Sequence, residues 1–315
     1  MDEALFSCLA QWLAAEPVVL ATVTATRGAT PRKAGSRMLI AQDRSAWSIG
    51  GGLAEARVTA AAQQLLQSGA TVAQVEIDLG GGSGAAGICG GTMQLELRRW
   101  QGAADLALAQ RIAGRLQTGY AVALPAAAAA EAMSEATAEA TTTTTTIDAA
   151  HSATSDAVQW LRPNPRLLIV GAGHCGLALY QLARQLDFDI WVFDSRGECA
   201  DPALFTGATV LSGDYTQLAM ALDTGRDVDA VLLNRDFHAD IATLDILCRR
   251  PPRFLGMMGS RRRIREVVEA LPHHAAALQR LQAPVGFEIQ AETPREIAVS
   301  ILAQLIQMRR TGQTG

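Results

Sequence analysis

The chain has 315 residues, 49% hydrophobic and 18% charged, with a formal net charge of -4. This length exceeds one average core and predicts two domains, each able to fold without disulfide staples. The mild negative charge argues against a general pull toward nucleic acid or an anionic membrane, and five scattered cysteines without Cys-x-x-Cys spacing argue against a disulfide framework or a structural zinc site.

The cysteines (Cys8, Cys89, Cys175, Cys199 and Cys248) read as reduced thiols. The first twenty residues carry Asp2, Glu3, Glu16 and Pro17 and lack the basic start and apolar run of an export signal. No stretch reaches the ~18 unbroken apolar residues of a membrane helix. A cytoplasmic protein is expected.

In chain order, Glu3 to Ala14 is a helix stopped by Pro17, followed by strands at Val18 to Thr26, Arg37 to Ala41 and Trp47 to Ile49. Leu53 to Gln67 reads as a helix, and Val72 to Leu79 and Met93 to Trp100 as strands around the glycine-rich Gly80 to Gly91. These make a mixed α/β N-terminal domain, 1–124. Residues 125–156 hold an alanine run and six consecutive threonines without apolar periodicity, the composition of a linker or insertion. From 157 to 315, strands at Arg166 to Val170, Ile190 to Phe193, Thr209 to Leu211, Ala230 to Leu233 and Phe254 to Leu255 alternate with helices at Cys175 to Leu186, Tyr215 to Leu222, Ile241 to Arg250 and Arg262 to Leu271. That alternation specifies a Rossmann-like, doubly wound parallel sheet. Pro294 to Met308 is a closing helix with Thr293 as N-cap and Glu296 completing a capping box.

Four constellations could carry chemistry. The apolar run Leu167 to Val170 leads into Gly171-Ala172-Gly173-His174-Cys175-Gly176, with Asp194 at the end of the next strand. This is the context of a dinucleotide fingerprint: glycines for the turn and the phosphate approach, a helix N-terminus for the anion, and an acid for ribose hydroxyls. Ser195 and Arg196 leave a 2′-phosphate open as an alternative, and His174 and Cys175 either face the ligand or pack beside it. Residues 27–37 gather Arg27, Arg32, Lys33 and Arg37 among turn formers, as suits a loop gripping an oxyanion. Cys89 stands between glycines, which expose a thiol able to react or to bind a soft metal such as molybdenum. Seven arginines fall between Arg249 and Arg265, and Gly259-Ser260-Arg261 opens a helix as another anion site. The arginine run lacks interleaved aromatics, so nucleic acid is not the expected partner.

Together these segments resemble the XdhC/CoxI family of xanthine dehydrogenase accessory proteins. The matching stretches are A-T-R-G-A-T-P-R-K-A-G-S-R-M (25–38), S-I-G-G-G-L-A-E (48–55), G-I-C-G-G (87–91), V-G-A-G-H-C-G (170–176), F-L-G-M-M-G-S-R-R-R (254–263) and A-E-T-P-R-E-I-A-V-S-I-L-A (291–303). The resemblance implies a molybdenum cofactor (molybdopterin) chaperone that holds the cofactor during sulfuration by a cysteine desulfurase and delivers it to a xanthine dehydrogenase-type molybdenum hydroxylase. Under this reading the cofactor contacts come from Arg27, Arg32, Arg37, Cys89, Gly171, Gly173, His174, Gly176, Asp194, Ser260 and Arg261, with Cys89 as the metal ligand. The alanine- and threonine-rich insertion and the wording of Gly52 to Glu55 depart from the family pattern. An NAD(P)-dependent oxidoreductase and a nucleotide-sensing regulator remain as rivals using the same glycine turn. The oxidoreductase is disfavoured because no histidine precedes the linker. The oligomeric state stays open, a homodimer among the choices.

Overall fold

The structure is a computed structural model and describes residues 2–81, 90–125 and 158–311. Cys89 and nearly all of the alanine- and threonine-rich stretch lie outside the described residues. The chain divides into two compact units, Met1–Arg162 and Pro163–Gly315.

In the first unit α1 (Asp2–Leu13) precedes β1 (Val18–Arg27), β2 (Arg37–Ile40), β3 (Ser45–Trp47), α2 (Gly52–Ser68), β4 (Val72–Asp78), β5 (Thr92–Trp100), α3 (Gly102–Gln117), β6 (Val122–Pro125) and β7 (Val158–Leu161). Five strands form an antiparallel sheet in the order β3-β2-β1-β5-β4. Strand period 2 divides β1 cleanly: Val19, Ala21 and Val23 pack under α2, whereas Val18 and Leu20 face α1 and α3. Both faces are covered, so β1 is apolar from Val18 to Val23 except at the buried Thr22.

The first unit ends at Arg162 instead of at the start of the low-complexity stretch, because β7 pairs antiparallel with β6, Val122 opposite Leu161. Asp2 reinforces this closure. Its carboxylate accepts from Arg37 Nη1 (2.9 Å) and from the Arg162 amide (3.1 Å), and Arg37 Nη2 donates to Gln159 Oε1 (3.1 Å). Residues 158–162, read from sequence as part of the second domain, belong to the first unit. Helix α3 and strands β6 and β7 are additions to the expected elements. The strand expected at Trp47 to Ile49 is found instead as β3, ending at Trp47, whose φ of 63° breaks the extended run.

The second unit contains β8 (Arg166–Val170), α4 (His174–Ala183), β9 (Asp189–Asp194), β10 (Thr209–Ser212), α5 (Gln217–Leu222), β11 (Val228–Leu232), α6 (Phe237–Leu247), β12 (Phe254–Met257), α7 (Arg261–Glu269), α8 (Ala275–Leu278), β13 (Leu281–Gln282) and α9 (Pro294–Thr311). The six strands form a parallel sheet in the order β10-β9-β8-β11-β12-β13. Helices α4 and α9 cover one face, and α5 to α8 the other. Strands buried on both faces explain why β8, β11 and β12 lack polar alternation. The chain winds outward from β8 in one direction and from β11 in the other. Its switch point therefore lies at the carboxyl ends of β8 and β11, where such sheets open a ligand crevice.

Candidate functional site

In the first unit three glycine-containing segments meet at one end of the sheet. Gly28 and Gly91 pack backbone against backbone: a Cβ on Gly28 would sit 2.8 Å from the Gly90 carbonyl oxygen, and one on Gly91 2.4 Å from the carbonyl oxygens of Arg27 and Ala29. Reciprocal bonds, Leu79 N to Gly91 O and Gly90 N to Leu79 O (both 2.8 Å), hold together the described residues on either side of the stretch that contains Cys89. Gly91 thus lies beside Arg27. On the other side, a Cβ on Gly50 would meet Pro31 Cγ at 2.5 Å, which presses the triple-glycine turn against the basic loop.

Glu55 organises that turn. Its Oε1 accepts from Ser48 Oγ (2.5 Å), Gly51 N (2.8 Å) and Ile49 N (3.1 Å). Burial pushes its carboxyl up, but the Ser48 hydroxyl and the Gly51, Ile49 and Gly50 amides outweigh this and hold it below the usual carboxylate range. A charged Glu55 therefore satisfies amides at the N-terminus of α2, and this turn is held by the protein's own anion. Arg27, Arg32 and Lys33 are exposed, and their side chains make no hydrogen bond or ion pair with the described residues. Arg37 is a correction to the anion set. It lies in β2, 5% exposed, and its guanidinium is taken by Asp2, Gln159 and the Gly35 carbonyl.

In the second unit the turn after β8 is built for close approach. Gly171 has φ 106°, and a Cβ there would strike the Leu233 carbonyl carbon at 2.9 Å. A Cβ on Gly176 would lie 1.9 Å from the Gly171 carbonyl oxygen, so only glycine lets α4 pack on the turn. Gly173 differs: nothing lies within 4 Å of its Cβ position, which leaves open space at the N-terminus of α4. His174 is the exposed first residue of that helix, and Cys175 is half-buried, its thiol pushed up by burial against a lowering by Arg235.

Asp194 is 2% exposed and fully engaged. Its Oδ2 accepts from the Ala172 amide (2.8 Å) and Arg196 Nη2 (2.9 Å), and its Oδ1 from the Arg196 amide (2.9 Å) and Nε (3.0 Å). Burial raises its carboxyl, yet the Arg196 and Ala172 hydrogen bonds bring it below the ordinary value. The carboxylate holds the glycine turn in shape, and a ribose would have to displace the 57% exposed Arg196 to reach it.

Sequence reasoning missed the β11 side of the crevice. Asn234 follows Leu233 there and donates Nδ2 to Asp240 (3.2 Å), while Asp240, buried, pairs with Arg263. Desolvation raises the Asp240 carboxyl, opposed by Arg263. Asp236, the N-cap of α6, accepts from Ala239 N (2.7 Å), and starting that helix at Ile241 concealed it. Of the seven arginines in the basic run, Arg249, Arg250, Arg253, Arg262 and Arg263 pair with Asp245, Asp223, Asp227 and Asp229, Glu266, and Asp240. Arg261 stays outside these pairs, while the Ser260 hydroxyl caps α7 by accepting from Arg263 N (3.3 Å). Among the described residues no helix is long and apolar enough to cross a membrane.

A Rossmann unit with a glycine-rich turn after its first strand, joined in one chain to an antiparallel unit bearing an exposed cationic loop, defines a two-unit protein of the dinucleotide-fold class. Comparison with known proteins narrows the class. The family model described as the XdhC Rossmann domain matches residues 167–305, and that of the XdhC and CoxI family matches residues 11–78. The chain belongs to the XdhC and CoxI family. It is 38% identical over 156 residues to the uncharacterised protein YqeB of Escherichia coli (strain K12), covering 48% of this chain and 28% of that one. It is 29% identical over 160 residues to a protein of Bacillus subtilis (strain 168) described as a probable component of xanthine dehydrogenase, covering 50% of this chain and 47% of the relative. The chain thus spans less than half the length of either curated relative. The crystal structure of a xanthine dehydrogenase from Bacillus halodurans superposes with a TM-score of 0.76 at 24% identity, over 99% of this chain and 96% of that one, and shares the fold.

Proposed function

We propose that the chain is an accessory protein of a xanthine dehydrogenase-type molybdenum hydroxylase, binding the molybdenum cofactor, shielding it while a cysteine desulfurase acts, and passing it on. The observation that carries this reading is the cationic loop. Arg27, Arg32 and Lys33 stand exposed without partners among the described residues, on a backbone pinned by Gly50 and Gly91 within the family's matched region and beside it. Cations on a pinned backbone suit a phosphate-bearing ligand, because their charge is unspent and the backbone that carries them is already ordered. When bound, the cofactor supplies the metal centre and a phosphate. Arg27 and Arg32 would grip that phosphate, Glu55 would hold the turn that braces Pro31 and Arg32, and Cys89, next to Gly90 in sequence, would offer a soft sulfur. In the second unit the open space at Gly173 and the amides of α4 would take an anionic group.

The client hydroxylase, the desulfurase, a homodimer and a cytoplasmic setting belong to this proposal. Its test is metal analysis and pterin fluorescence of protein purified from a cofactor-producing host. Parent protein should carry pterin, and Arg27→Glu with Arg32→Glu should lose most of it; pterin-free parent protein overturns the reading. The Rossmann crevice supports a second reading, NAD(P) as ligand of an oxidoreductase or sensor. The occupied Asp194 counts against ribose binding. Loss of NADH absorbance with carbonyl substrates would favour the oxidoreductase.

A further inference from the structure

Asp245 stands near the C-terminal end of α6, and His273 and His274 end the short turn that Pro272 begins after α7. His273 Nε2 lies 3.1 Å and His274 Nε2 3.0 Å from the same atom, Asp245 Oδ1, across 28 and 29 residues of chain. All three groups offer a ligand atom within 4.8 Å of the others. Neighbouring residues ordinarily project apart. Here the two rings, 4.3 Å between centroids and inclined at 48°, bring their Nε2 edges to one carboxylate oxygen. Donor atoms about 3 Å apart are adjacent corners of a coordination sphere with bonds of about 2.1 Å. Asp245 is ionised at neutral pH, its carboxyl held down to about 2, first by the hydrogen bonds of His273 and His274 and further by Arg249. Arg249 pairs with the other oxygen, Oδ2, which fixes the carboxylate and leaves Oδ1 to the histidines.

The geometry points to a divalent transition-metal site formed by Asp245, His273 and His274, of the zinc class, with at least one position left to water. Two imidazole nitrogens and one carboxylate oxygen are borderline donors, which suit zinc or cobalt better than the all-oxygen shells of calcium or magnesium. Cys248 caps the same helix, but it is buried and lies outside the group of ligand atoms that come within 4.8 Å of one another. Helices α6 and α7 each run from the carboxyl ends of the parallel strands back to their amino ends. The metal would therefore lie on the sheet edge opposite the glycine turn and clip α6 to the 272–274 turn. Nothing in this inference depends on the cofactor reading.

The test uses the full-length chain freed of metal. Zinc titrated into it should bind with one equivalent held by these groups and raise the melting temperature. Cobalt should give visible absorption without a thiolate band in the near ultraviolet. Asp245→Asn and His274→Ala should each weaken zinc binding at least about tenfold. His273 is 60% exposed, so His273→Ala keeps the test available if the half-buried variants fail to fold. Unchanged zinc affinity in a folded His273→Ala protein, or cobalt bound with thiolate absorption, overturns the proposal and leaves the three side chains as a hydrogen-bonded cluster.

Discussion

The three glycines of the second-unit turn, equivalent as letters, do different physical work. Gly173→Val projects into open space with a backbone φ of -70° that any residue adopts, so the fold should survive and the melting temperature should change little. Anion or nucleotide binding should fall steeply, which calorimetry would read; full binding by the variant would show that the opening at Gly173 is not used. Gly176→Ala sets a methyl 1.9 Å from a carbonyl oxygen and should cost at least about 1–3 kcal/mol of stability, measured by denaturant unfolding. Buried charge gives a second contrast. Asp229, 1% exposed, is pushed up by burial against the lowering effect of Arg253, which donates to it at 2.5 and 2.9 Å. Arg253→Met leaves that carboxyl unpaired and should cost about 3–5 kcal/mol at neutral pH. A carboxyl raised in the folded state contributes stability below its unfolded value of about 3.9, and loses it as pH rises through the folded value. The deficit of the variant should therefore be small in acid and grow toward neutrality, and a pH-independent deficit would show that Asp229 is not its source.

At the level of elements, what was legible followed from local rules. Thr293, Pro294 and Glu296 announced α9, and the structure closes the capping box: Thr293 N donates to Glu296 Oε2 (2.9 Å) and Glu296 N to Thr293 Oγ1 (3.3 Å). Thr293→Ala should lower the melting temperature by about 2–4 °C, and Thr293→Ser should restore it. Strand β8 matched its expected bounds because an apolar run flanked by proline and glycine leaves few alternatives. Helix α3 went unread although Ala109, Ile112, Ala113 and Leu116 recur at helical spacing, since two alanines make a thin stripe. Strands β6 and β7 carry no local signal at all: each is four residues long, and their pairing spans the low-complexity stretch. In the candidate site, the glycine turn and cationic loop were visible, whereas the burial of Arg37 and the capture of Asp194 by Arg196 depend on partners that no spacing rule connects. The Asp245, His273 and His274 cluster was hidden for the same reason.

At the level of the whole molecule, the β6–β7 pairing changes what cleavage of the linker should do. The composition of residues 125–156 predicts that proteases cut there first. A simple two-domain chain would then fall into separable halves. In this fold the fragment beginning near residue 158 keeps β7 paired with β6, with Gln159 on Arg37 and the Arg162 amide on Asp2. The nicked protein should therefore elute as one particle in native size exclusion while showing two bands on a denaturing gel. Arg37→Ala together with Asp2→Ala removes the side chains that hold this closure and should favour separation after nicking. By the same logic a chain of residues 163–315 should fold alone, since both faces of its sheet are covered by its own helices, whereas residues 1–124 lack β7 and should be less stable than residues 1–162. Equal melting temperatures for 1–124 and 1–162, or halves that part on native elution as soon as the linker is cut, would show that β7 is dispensable to the first unit.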